Sequence, residues 1–202
     1  MEKNSNIIIG AVLLIVGIGL GYVISSNSFR GSSGYMMSNG SMMSQNIDRH
    51  FIEEMIPHHE GAIEMAKLAL LRSKRPEMLS LANGIIEAQT REINDMKAWY
   101  EDWFGTPVSS DASGMMGGMG HGAGMQMGSV EGDLDALKTV AAAEFDLEFI
   151  RQMIPHHEMA VMMARMLAAG TARTEMKELA DNIIVSQSRE IDVMRSWYSA
   201  WK

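Results

Sequence analysis

The sequence predicts an all-α protein: a four-helix bundle made of two repeated helical hairpins, preceded by an apolar N-terminal segment. Three observations predict it. Residues 51–103 align without gaps on residues 149–201 at a constant offset of 98, with 26 of 53 positions identical. Such self-similarity outranks local propensity as evidence of architecture. Within each copy the apolar residues recur at spacings of three and four, the period of a helix with one buried face. The motif MIPHHE stands at 55–60 and again, letter for letter, at 153–158.

The chain divides into residues 1–30, 31–45, 46–104, 105–132 and 133–202. Residues 7–24 carry no charge. As a helix they would span about 27 Å, near the thickness of a bilayer core. An uncleaved single-pass transmembrane helix is expected. A cleaved signal peptide is the competing reading, with Ser25, Ser26 and Ser28 at the cleavage position. Both place the remainder outside the cytoplasm, in a periplasmic or extracellular space.

Residues 31–45 and 105–132 are rich in Gly, Ser and Met and are expected to link the parts without helix or strand. In the first hairpin, Phe51, Met55, His58, Ala62, Met65 and Ala69 form one stripe. Phe149, Met153, His156, Ala160, Met163 and Leu167 repeat it. Pro57 and Pro155 fall inside these stripes and should kink the helix or start it. Breaks are expected at 73–76 and 170–171, with Pro76 in the first turn of the next helix. That helix shows Leu81, Ile85, Gln89, Glu92, Met96, Trp99 and Trp103 on one face, repeated as Leu179, Ile183, Gln187, Glu190, Met194, Trp197 and Trp201. Two such hairpins would pack as a bundle with an approximate internal two-fold axis.

Composition narrows the function. Net charge is −8, and no run of Lys or Arg could track a phosphate backbone, so nucleic acid is not an expected partner. Cysteine is absent, which removes disulfides and thiolate metal sites. Methionine is in excess, at 21 residues. Nine of these sit in the Gly/Ser-rich segments: Met36, Met37, Met42 and Met43, then Met115, Met116, Met119, Met125 and Met127 around His121. A loop methionine has no core to fill. Thioethers are soft ligands that select Cu(I), and Ag(I) by the same logic.

The duplicated histidines point the same way. Met55 lies three residues before His58 and four before His59, within side-chain reach of either. Met153, His156 and His157 repeat the set, and Met159 follows three residues after His156. Mixed His and Met donors suit copper. The bland alternative is a buried polar layer in which the imidazoles bond Glu92 and Glu190. Those two carboxylates are expected to orient an imidazole or pair structurally rather than bind metal directly. The four tryptophans read as packing.

The pattern FIEEMIPHHEGAIEMA followed by QTREINDMKAWY, and its repeat FIRQMIPHHEMAVMMA followed by QSREIDVMRSWY, resembles the domain of unknown function (DUF) 305 family in two tandem copies. The resemblance implies a ferritin-like four-helix bundle and, as in some members, extracytoplasmic copper binding through Met and His. By that analogy the ligands are Met55, His58, His59, Met65 and Met96, with Met153, His156, His157, Met163 and Met194. Many members carry Gln where this chain has Glu60 and Glu158. Met159 and Met162 stand where the first copy has Gly61 and Glu64, so the two sites are expected to differ.

The sequence thus reads as a membrane-anchored protein that sequesters, stores or delivers Cu(I), with Ag(I) as a second ion and a copper transporter or chaperone as a partner. No catalytic residue is required. Two other readings stay open: a ferritin-like Fe or Mn di-metal oxidase, and a metal-free structural bundle.

Overall fold

The computed structural model describes residues 39–108 and 130–202. Five helices occur there in the order α1 (Asn39–Arg72), α2 (Pro76–Phe104), α3 (Val130–Thr139), α4 (Phe145–Gly170) and α5 (Thr174–Trp201). No strand occurs among the described residues. None of their helices is long and apolar enough to cross a membrane. The apolar segment 7–24 lies outside them.

The ends follow from local chemistry. Pro76 opens α2, where its missing N–H has no helical partner to lose, and Arg75 before it is extended at φ −82° and ψ 122°. Gly105 closes α2 at φ 70°, a conformation costly for any residue with a Cβ, and its N–H bonds the Glu101 carbonyl at 2.9 Å. The two hairpin turns match at the offset of 98. Ser73 Oγ accepts from the Arg75 N–H at 3.2 Å, and Thr171 Oγ1 accepts from the Arg173 N–H at 3.1 Å.

Of the two readings of the prolines, the structure takes the continuous helix: α1 and α4 run on through Pro57 and Pro155 rather than starting at them. The buried faces on both sides of each proline hold the helix together across the lost hydrogen bond. Helix also extends into the segments read as linkers, since α1 begins at Asn39 and α3 at Val130. Residues 42–45 include Met and Gln, which favour helix once the packed part of α1 has formed.

The core has two clusters, each mixing both hairpins. One joins Phe51, Met55, Met96 and Tyr100 to Leu167, Met176, Leu179 and Ile183. The other joins Phe149, Met153 and Met194 to Met65, Met78, Leu81 and Ile85. Each buried side chain of this size contributes about 1.5–3 kcal/mol. Neither hairpin could bury its stripe alone.

Polar clasps bind the ends in matched pairs. Asp48, fully buried, meets Arg173 at 3.3 Å, and Arg173 lies 3.9 Å over the Trp103 ring. Asp146 meets Arg75 at 3.2 Å, and Arg75 lies 4.1 Å over the Trp201 ring. The tryptophans stack in pairs, Trp99 on Trp103 and Trp197 on Trp201. They act as end packing, as expected. One clasp is unmatched: Arg72 donates to the carbonyls of Leu137 and Val140 and covers the Phe145 ring, fastening α3. Its counterpart is Gly170, where Ile47 Cδ1 lies 2.6 Å from the place a Cβ would take.

Candidate metal centre

Successive residues of a helix point about 100° apart, so adjacent histidines must face different neighbours. In α1, His59 turns toward α2, and its Nε2–H donates to Glu92 Oε2 at 2.7 Å. In α4, His157 does the same with Glu190 Oε2, also at 2.7 Å. His58 and His156 turn toward each other, and their ring centroids lie 3.7 Å apart at 42°. The two MIPHHE motifs therefore meet in one four-histidine layer.

The hydrogen bonds fix the free atoms. An ionised carboxylate only accepts, so Nε2 of His59 and of His157 carries a proton, and Nδ1 is the ring nitrogen left for another partner. Both of these Nδ1 atoms are buried without a partner, as are Nδ1 of His58 and both ring nitrogens of His156. A buried polar atom left unpaired costs about 1–3 kcal/mol. These nitrogens are the candidate ligand atoms of the layer.

Burial also sets the charge state. It pushes the His58 imidazole down to about 3, helped by His59 and His157 nearby. It holds His156 well below the usual histidine range, with His58, His157 and His59 adding to the effect. Both are neutral at pH 7, the form that binds metal.

Fully buried thioethers flank the layer. Met55 and Met96 lie in one core cluster and Met153 and Met194 in the other. Met65 and Met163 depart from the sequence grouping, because each packs with the other copy's set. Met65 joins Met153 and Met194, and Met163 packs against Met55 and Met96. Antiparallel packing of the hairpins causes the exchange. Sequence reading also passed over Met78 and Met176, which complete the clusters, although their identity at the offset of 98 was a signal. Gln89 and Gln187 went equally unassigned as site residues. They line a small recess between α2 and α5 with Glu92 and Glu190, and their Oε1 atoms are buried without partners.

Among the described residues, no three His, Asp or Glu side chains converge as a metal-binding group. The donors available here are imidazole and thioether. Met115, Met116, Met119, His121, Met125 and Met127 lie outside the described residues.

The chain belongs to the family described as Domain of unknown function (DUF305), which it matches over residues 48–198. Among solved structures it is similar to CopM in the Cu(II)-bound form, at 52% identity and a TM-score of 0.66, covering 77% of this chain and 97% of that one. CopM in the Cu(I)-bound form matches at 48% identity and a TM-score of 0.64, over 76% and 96%. The Ag-bound form matches at 48% and 0.63, over 76% and 96%. These relatives are described by the metals they hold and not by a reaction. A curated relative, uncharacterized protein L153 of Acanthamoeba polyphaga mimivirus, is 43% identical over 51 residues, 25% of this chain and only 34% of its own length.

Proposed function

We propose that this chain is an extracytoplasmic copper-binding protein that holds Cu(I), and Ag(I) by the same chemistry, for sequestration, storage or delivery. The observation that carries the reading is the set of orphaned imidazole nitrogens at the His58–His156 contact, backed by Glu92 and Glu190 and flanked by buried thioethers. Likeness to a protein solved with Cu(I), Cu(II) and Ag supports it. Thioether and imidazole together favour a soft monovalent ion over Fe or Mn. A di-metal oxidase would need converging carboxylates, and the described residues offer no such group.

On this reading the ligands are drawn from Met55, His58, His59, Met65 and Met96 with Met153, His156, His157, Met163 and Met194. Glu92 and Glu190 hold the imidazoles of His59 and His157 in one tautomer. The methionines of residues 105–132 supply weaker, more accessible sites. Residues 7–24 anchor the protein in the membrane, and a transporter or chaperone exchanges the ion. The duplicated motif brings its two histidine pairs together at the His58–His156 contact, where each pair works with the thioethers beside it.

The test is an anaerobic Cu(I) titration against a competing chelator. Replacing His58, His59, His156 and His157 together with Ala should abolish the tight phase. Replacing the methionines of residues 105–132 with Ser should leave it. Loss only in the second variant would move function to the linker.

A further inference from the structure

The two hairpins differ on one surface, and the difference is made of methionine. On α4, Met159, Met162 and Met166 fall at i, i+3 and i+7, so they share one stripe. Met163 lies beside it on the inner side. Exposure falls along this arc from outside to inside. Met166 is 62% exposed and Met162 43%, while Met159 and Met163 are half-buried. Met163 packs against the cluster that holds Met55 and Met96. The outer pair borders a groove of about 620 Å³ between α4 and α5, with Glu158, Arg165, Asp192 and Arg195 among its walls.

The first hairpin has no such arc. Gly61, Glu64 and Leu68 stand at the positions of Met159, Met162 and Met166, and Glu64 pairs with Lys67 at 2.7 Å. Packing does not explain the outer pair, because methionines 43% and 62% exposed fill little of a core. Adjacent members are three or four residues apart, about 5–6 Å between Cβ atoms, so flexible thioethers can share an ion in passing.

We infer that Met166, Met162, Met159 and Met163 form a one-sided thioether path by which a soft monovalent ion, Cu(I) or Ag(I), passes from solvent to the core beside Met55 and Met96. The inference rests on the copper-binding reading. An ion captured at the exposed pair moves inward by exchange of one thioether for the next, with no change of oxidation state. Among the described residues, this route lies on the second hairpin alone.

The test is stopped-flow transfer of Cu(I) from a chromogenic chelator complex to the full chain. The double variant Met162→Leu/Met166→Leu conserves volume and should fold as the parent does, with helix content checked by circular dichroism. Loading should slow about tenfold through loss of local capture, while the equilibrium affinity of the core stays the same. Installing the pair in the first hairpin, as Glu64→Met/Leu68→Met, should speed loading of the double variant. An unchanged loading rate in the double variant overturns the path and leaves the copper reading standing. A parent protein that takes no Cu(I) at equilibrium overturns both.

Discussion

The rings of His58 and His156 lie 3.7 Å apart, face to tilted face, although 98 residues separate them. Each comes from the same place in its motif, and the contact joins α1 to α4 at the middle of the bundle. The neighbouring His59 and His157, fully buried, are turned to Glu92 and Glu190. One pair of imidazoles thus meets across the bundle, and one pair is braced from behind.

That burial makes the metal-free protein acid-sensitive. The folded pKa values of His58 and His156 are depressed below the ordinary value of 6.5. The unfolded chain therefore binds more protons, and stability falls as pH drops from 6.5 toward about 3. Above 6.5 this contribution is fully present. Urea unfolding at a series of pH values should show the loss. The His58→Leu/His156→Leu variant should show a shallower decline over the same window.

The braced pair is tested at the carboxylate. Glu92→Gln keeps an acceptor near His59 Nε2 but removes the charge that makes the imidazole a better ligand. Cu(I) affinity should fall about 10–100-fold, the usual cost of losing such a brace. Chelator competition reads the affinity, and a thermal melt of the metal-free protein should hardly move.

The buried thioethers separate ligand from filler. Met55→Leu and Met153→Leu conserve volume and should cost under about 1.5 kcal/mol of stability. If the sulfur binds metal, each should still weaken Cu(I) binding. Equal affinity in both variants would return these residues to packing alone.

The end clasps should rank by burial. Asp48 is fully buried and its partner Arg173 is 28% exposed, whereas Asp146 and Arg75 are 19% and 45% exposed. Asp48→Ala should cost about 2–3 kcal/mol, below the full value of a buried pair because Arg173 reaches solvent. Asp146→Ala should cost about 1 kcal/mol. Chemical denaturation of the two variants gives the order directly.

Much of this was legible in the sequence, for physical reasons. The three-and-four spacing of Phe51, Met55 and His58 marks a buried helical face, and Pro76 marks a helix start. The offset of 98 matched His59 to His157 and Glu92 to Glu190, so their pairing was foreseeable. Pro57 left two outcomes open, a helix through it or from it, because sequence cannot weigh one lost hydrogen bond against packing on both sides. The exchange of Met65 and Met163 between hairpins was hidden as well. Which end of one hairpin meets which end of the other is decided by long-range packing, and no local pattern records it. The meeting of His58 with His156 was hidden for the same reason.

The most direct test of the central claim is long-range ¹H–¹⁵N spectroscopy of the imidazoles during an Ag(I) titration of the full chain. The metal-free protein should show His59 and His157 protonated at Nε2 and bare at Nδ1. Added Ag(I) should move the Nδ1 resonances of the four motif histidines and leave the Nε2 protons of His59 and His157 in place. Imidazole signals that stay fixed while only methionine methyl groups shift would contradict a histidine metal centre.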